Sequence, residues 1–394
     1  MKSVGCKLIV LIGFVLLLGA CASSEEEPAL TNFERFLVAV FAPEEGEKFL
    51  VLVDLPHGEI IDNPAWVDRR AMAEAWRTSL HELGEKLGFT VQPLFTYPAS
   101  GQHSSPLPVA GQLDGNTVSF DDILADTNIA LAMTEYSATA PLVAYTERYR
   151  HLRAASMPMV SRSMEETALA ADYEQMAGLC NALGERLDRA EGARLIFTTG
   201  HELFVDLRFR QAEVDDGRLP PDKEGSRVIN LPSGEAYIAP YEGERAGDPS
   251  RTSGYVPIPA GDGKFALARL ENNLITEFLD ENGTAMSVKQ VMGPEKAGHN
   301  LAELGLGCND KAVVTGNVLE DEKVLGIHLA SGLSEHIGGT VSVKDFSDPA
   351  NAAHIDRVIP FGGEIEVVRL ILEYEGGAEE TIVENGAYSL SAGE

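Results

Sequence analysis

Lys48-Phe-Leu-Val-Leu-Val-Asp54 is a run of five apolar residues closed by an acid. Apolar runs this short and unbroken belong to strands buried on both faces, as in a parallel sheet. Asn63-Pro64 then offers an N-cap followed by proline at the first helical position. It predicts a helix to about Leu87, stopped at Gly88. Residues 90–96 return as a strand, which completes a β-α-β unit.

Working outward, 97–112 is rich in Pro, Ser and Gly and reads as a surface loop. A further strand is expected at 128–133, with helices over 140–150 and 164–187. Strand and helix signals in alternation give an α/β N-terminal domain over 33–215. Leu203, Val205, Leu207 and Phe209 alternate with more polar neighbours, as in a half-buried strand, and Thr199-Gly200 can turn a hairpin. Residues 215–226, with Gly217, Pro220 and Pro221, read as a linker. Beyond it short strands are punctuated by glycine turns at Glu375-Gly376-Gly377 and Asn385-Gly386. The expectation is a β-rich (α+β) C-terminal domain over 226–394.

The first residues carry an address. Lys2 and Lys7 precede an apolar run over 8–18, too short to span a bilayer and read as an export signal. Leu18-Gly19-Ala20-Cys21 resembles the bacterial lipobox. It implies a lipoprotein signal peptide over 1–20, lipidation of Cys21, and a polar tether over 21–32. The expected location is the cell envelope, with the lipid anchor as the only membrane contact. Ala22 after Cys21 points to the outer membrane. The formal charge of −30, from 61 acids against 31 bases, repels nucleic acid and anionic headgroups. Of four cysteines, Cys180 and Cys308 remain after Cys6 and Cys21 are set aside. They show no zinc-knuckle spacing and fall in different expected domains, so no disulfide is expected between them.

Chemistry concentrates over 300–356, with Glu303, Glu322, His328, His354 and Asp356, joined by Glu235 upstream in Leu-Pro-Ser-Gly-Glu. Carboxylates and imidazoles together suit Zn²⁺, Co²⁺ or Mn²⁺, and a carboxylate can bridge two ions about 3.5–4 Å apart. On a strand, His354-Ile355-Asp356 puts both ligand heads on one face; on a helix they diverge by about 200°. Taken singly, each of these residues is more simply a surface acid or an ordinary histidine. The Gly-x-Ser-x-Gly elbow and the His-Glu-x-x-His zinc helix are both absent. Gly305-Leu306-Gly307 reads as a tight turn. His57, His81, His103, His151, His201 and His299 lack ligand-type neighbours, which leaves them solvent or core roles.

Leu231-Pro-Ser-Gly-Glu235, Leu301-Ala-Glu-Leu-Gly-Leu-Gly-Cys-Asn309, Gly316-Asn-Val-Leu-Glu-Asp-Glu-Lys-Val-Leu-Gly-Ile-His328 and His354-x-Asp356, in that order, resemble the aminopeptidase T family of metallopeptidases. Echoes lie upstream in Thr134-Glu-Tyr-Ser137, Ala155-Ser-Met-Pro158 and Asp172-Tyr-Glu174. The resemblance implies removal of N-terminal residues from peptides with two divalent ions, usually zinc or cobalt. It also implies an α/β domain paired with a β-rich metal domain, commonly as a homodimer. Carried over by motif, the metal ligands are Glu235, Glu303, Glu322, His328, His354 and Asp356. Glu303 bridges the ions or sits beside the shared water as the catalytic carboxylate. Two departures stand out. Spacing around Asp321-Glu322 and His328 is one residue shorter than the commonest pattern. The position seven residues after the metal His, Tyr in many members, is Glu335, followed by His336.

The expected function is therefore that of a membrane-anchored dinuclear metal aminopeptidase acting on peptides. The alternative is a catalytically impaired metal- or peptide-binding envelope lipoprotein that keeps the fold, a reading the Glu335 substitution keeps open.

Overall fold

The structure is a computed structural model that describes residues 30–390. The signal-peptide and lipidation readings, with Cys6 and Cys21, lie outside the described residues. No helix among those described is long and apolar enough to cross a membrane.

The chain folds as a mixed α/β protein with three sheets. Lys48–Leu55 is a central strand of the first. Phe49, Val51 and Val53 face one apolar cluster, while Leu50 and Leu52 face another. With a core on each side, no position in the run can carry a polar group without a partner. Pro64–Leu87 follows as a helix. Asn63 Oδ1 accepts from the Trp66 N–H at 2.9 Å, and Gly88 stops the helix at φ 84°, where a side chain would be strained. The return strand comes in two pieces, Thr90–Val91 and Phe95–Pro98, both parallel to Lys48–Leu55. Pro93, which has no N–H to give the ladder, stands in the break.

Ile129–Ala132 and Arg153–Ser156 extend this sheet in parallel on its other side. Part of the expected loop over 97–112 is ordered instead. Ala110–Leu113 pairs with Asn116–Ser119 as an antiparallel hairpin on the far edge. The long helix expected at 164–187 begins only at Tyr173. Asp172 caps the Glu174 and Gln175 N–H groups there, and the preceding turns are 3₁₀.

The other two sheets are antiparallel. One has five strands, in the order Glu213–Asp215, Glu235–Ile238, Leu301–Gly307, Gly326–Gly332 and His354–Pro360. The other has nine and is centred on Ala190–Phe197, Glu202–Asp206 and Val367–Tyr374. Pairing therefore crosses the expected division at 215–226 in both directions. Val228–Asn230 joins the first sheet beside Arg153–Ser156, whereas Ala190–Phe197 pairs with a strand near the C-terminus. Helix Tyr173–Arg189 packs behind the five-stranded sheet, where Gly184 admits the Val214 and Ala236 side chains. Cys180 and Cys308 are buried free thiols. They adjoin across this contact, so separation into different domains is not what keeps them unpaired.

Asp206 anchors a junction between elements. Fully buried, it accepts from Arg208 Nε and Nη2 at 2.9 and 2.8 Å and from the Arg251 N–H at 2.9 Å. Burial works to raise its pKa, but the two arginines hold it below the ordinary range. A depressed folded pKa means the contribution is present above the unfolded value of about 3.9 and is lost as pH falls through the folded value. Asp206→Asn is expected to cost about 2–3 kcal/mol at pH 7, less than a fully buried pair because the arginines reach solvent. In urea melts the deficit should shrink below about pH 4. An unchanged deficit at acid pH would rule out the charge as its origin.

Candidate metal centre

Successive residues of the five-stranded sheet alternate between its faces. Ala236, Leu304, Leu306, Ile327 and Leu329 turn into the core. The opposite face reads Glu303, Gly305, Gly307 on one strand and Gly326, His328, Ala330, Gly332 on the next. His354 and Asp356 follow on the edge strand, and Glu235 stands opposite Gly307. Glu303, Ala330 and Asp356 form one row across three strands. Each charged or imidazole group is thus bordered by Gly or Ala, which leaves it room. The tightest case is Gly305, paired with His328: a Cβ there would lie 1.9 Å from His328 Nε2. The Gly305-Leu306-Gly307 segment is strand interior and not the expected turn, because it must pass under an imidazole.

Two three-residue groups result, Glu235/Glu303/His328 and Glu303/His354/Asp356, whose donor atoms lie within 4.8 Å of one another in each group. Glu303 belongs to both. Its Oε1 accepts from His328 Nε2 at 2.8 Å and its Oε2 lies 3.3 Å from His354 Nε2. Glu235 Oε2 is 3.3 Å from His328 Nε2, and Asp356 Oδ1 is 3.4 Å from His354 Nε2. Burial opposes ionisation of Glu303, yet the His328 and His354 imidazoles hold its carboxyl well below the usual range. Burial alone would depress both imidazoles. Glu303 lifts His328 to about 9, and Asp356 with Glu303 lifts His354 to about 11.

Glu322 stands apart from both groups. It follows the short helix Val318–Asp321, and its Oε1 is 2.7 Å from the Lys323 Nζ. Its neighbours serve the scaffold: Glu320 accepts from Thr167 Oγ1, and Asp321 from the Thr315 and Gly316 N–H groups. Lys323 is fully buried, and its Nζ also donates to Glu235 Oε1 at 2.5 Å. Burial would lower its pKa, but Glu235, Glu322 and Asp215 hold the ammonium well above the ordinary value.

The donor chemistry of the second group fits a divalent ion. His354 Nδ1 donates to the Leu333 carbonyl at 2.6 Å, which turns Nε2 toward Glu303 and Asp356 as a ligand nitrogen. In the first group Glu235 Oε2 is buried without a hydrogen bond, but Oε1 is already held by Lys323.

The centre borders a cleft of about 1400 Å³ that also touches the carboxyl ends of the parallel strands, the usual ligand position in such sheets. Ser137, Thr139 and Asn230 line that side, with Thr139 Oγ1 donating to Asn230 Oδ1 at 2.9 Å. Asp54 holds the 134–137 loop in place by accepting from the Glu135 and Tyr136 N–H groups and from Trp66 Nε1. Two cleft residues were not legible as such in the sequence. His103 accepts from the Ser137 N–H, and His336 meets His354 edge to face at 4.9 Å.

No protein-family profile and no curated protein sequence matches the chain. Solved structures do. The 2,5-dihydroxypyridine dioxygenase from Pseudomonas putida KT2440 superposes with a TM-score of 0.57 at 13% identity, covering 91% of this chain and 98% of that one. Wild-type AmpT from Thermus thermophilus superposes with a TM-score of 0.53 at 15% identity, covering 91% and 99%. At these identities the likeness is one of fold, and it runs through nearly the whole of each chain.

Proposed function

We propose that the chain is a metal-dependent aminopeptidase, a hydrolase that removes N-terminal residues from peptides. The observation that carries this reading is Glu303, whose two oxygens face two different imidazoles on a sheet face kept open by glycine and alanine. The fold shared with AmpT, an aminopeptidase T, supports it. Glu303, His354 and Asp356 would hold an ion. A divalent ion, once bound, acidifies water and polarises a carbonyl. Glu303 is placed to accept the proton of a water at the centre. Glu213 and Glu335 in the cleft lining offer negative charge to a peptide's ammonium terminus.

The test is His354→Ala on the metal-replete protein. Metal content and amino-acid release from a dipeptide panel should fall together, metal affinity by about 100-fold or more, beyond what loss of a supporting partner costs. A wild-type protein that holds metal and releases nothing from the panel would end the peptidase reading.

One observation favours a second reading. The Glu303, His354 and Asp356 group offers an imidazole beside two carboxylates, nitrogen and oxygen donors that iron(II) also accepts. One structural neighbour is itself a dioxygenase. Oxygen uptake with an aromatic diol on the iron(II)-loaded protein, set against dipeptide cleavage on the zinc-loaded protein, separates the two.

We also propose that Cys21 carries a lipid and tethers the enzyme in the cell envelope, on the strength of Leu18-Gly19-Ala20-Cys21. Labelled palmitate should enter the wild type and not Cys21→Ala; absence of label from both would defeat the anchor.

A further inference from the structure

The first group already contains a cation. Lys323 is one of the largest fully buried side chains described, with no exposed surface. Its Nζ lies 2.5 Å from Glu235 Oε1 and 2.7 Å from Glu322 Oε1, so an ammonium bridges two carboxylates that the sequence assigned to metal. Asp215, paired with Glu235 across the Glu213–Asp215 and Glu235–Ile238 strands, adds a third carboxylate to its surroundings. An ion among Glu235 Oε2, Glu303 Oε1 and His328 Nε2 would share the Glu235 carboxylate with this ammonium. Two like charges would then face each other across one small group in a buried site, where little water screens them. Lys323 cannot swing to solvent, because the chain encloses it on all sides.

The second group differs. Its members Glu303 Oε2, His354 Nε2 and Asp356 Oδ1 lie on the far side of Glu303, and His354 is oriented from behind by the Leu333 carbonyl. The Lys323 ammonium pairs with Glu235 and Glu322, on the side of the centre away from His354 and Asp356.

We propose that Lys323 is the resident cation of the first position, so that the centre takes a single divalent ion, at Glu303, His354 and Asp356. The first position thus does not fit the metal its carboxylates suggest. His328 and Glu235 instead act as positioning residues: His328 orients Glu303 through its Oε1, and Glu235 ties His328 to the lysine. This inference rests on the metal-centre reading given above and replaces the two ions expected from the sequence with one.

The experiment counts ions and does not depend on turnover. The purified full-length chain is loaded with Zn²⁺ or Mn²⁺, freed of loose ions by gel filtration, and assayed by elemental analysis. Paramagnetic resonance of the Mn²⁺ form then reads whether ions are isolated or exchange-coupled. We expect one ion per wild-type chain with an isolated six-line spectrum. Lys323→Met should release Glu235 Oε1 and raise the count to two, with a coupled spectrum. Two ions in the wild type would overturn the assignment of Lys323 while leaving a metal enzyme intact. A folded Lys323→Met that still holds one ion would also overturn it. No ion in the wild type would overturn the metal reading itself, and this inference with it. Because the wild-type count alone can refute the proposal, it stays testable even if Lys323→Met does not fold.

Discussion

Glu303→Gln is expected to lower peptidase turnover roughly 10³-fold, the scale of losing one main electrostatic group from a buried site, while the fold survives. The substitution preserves shape and removes one charge. It acts on both imidazoles at once, because the two Glu303 oxygens face His328 and His354 separately. The imidazoles would then lose one of the anions that raise their pKa values, so both should titrate lower, His328 more than His354, which keeps Asp356. Histidine NMR titration of the metal-free protein reads this directly. Turnover within a few-fold of wild type would show that the carboxylate neither accepts a proton nor holds an ion.

Gly305→Ala should be almost as damaging, though it touches no charge. A Cβ at 305 would lie 1.9 Å from His328 Nε2, 2.1 Å from Cε1 and 2.5 Å from Cδ2, so the ring must leave its place. Gly305 is not a positive-φ glycine, so the cost is steric and not conformational. Overpacking of this kind costs about 1–3 kcal/mol. The displaced imidazole would also release Glu303 Oε1, and activity should fall with stability. Urea denaturation and metal retention, measured together, check the prediction. An alanine variant with wild-type stability and metal content would mean that His328 does not lie over this strand.

Parts of this were legible in sequence because they depend on neighbours along the chain. The 48–54 run, the Asn63-Pro64 cap and the Gly88 stop are local, and each appears where the residues require it. His354-x-Asp356 was legible for the same reason, since a period of two needs only a strand. What the sequence hid is non-local. Val228–Asn230 is three residues long and joins a sheet whose other members lie far upstream, so the linker composition of 215–226 suggested a boundary that pairing ignores. Lysine is ordinarily solvated. Only the return of 318–323 beneath a carboxylate 88 positions earlier buries Lys323. The acids at 320–322 look alike in sequence, but the packing of each decides its role. The glycines and alanine between the ligands are the one missed signal the sequence did hold. Glu-x-Gly-x-Gly at 303–307 and Gly-x-His-x-Ala-x-Gly at 326–332 keep small residues on the ligand face at strict alternation.

The centre is also unevenly hinged. Glu303 and His328 sit on strands with a neighbour on each side, whereas His354 and Asp356 belong to the outermost strand of their sheet. An outermost strand frays at much lower free energy than one locked between two others. The site is therefore a vice with one fixed jaw and one sprung jaw. Anything gripped between them would shift His354 and Asp356 more readily than Glu303 and His328, without the inner strands having to part.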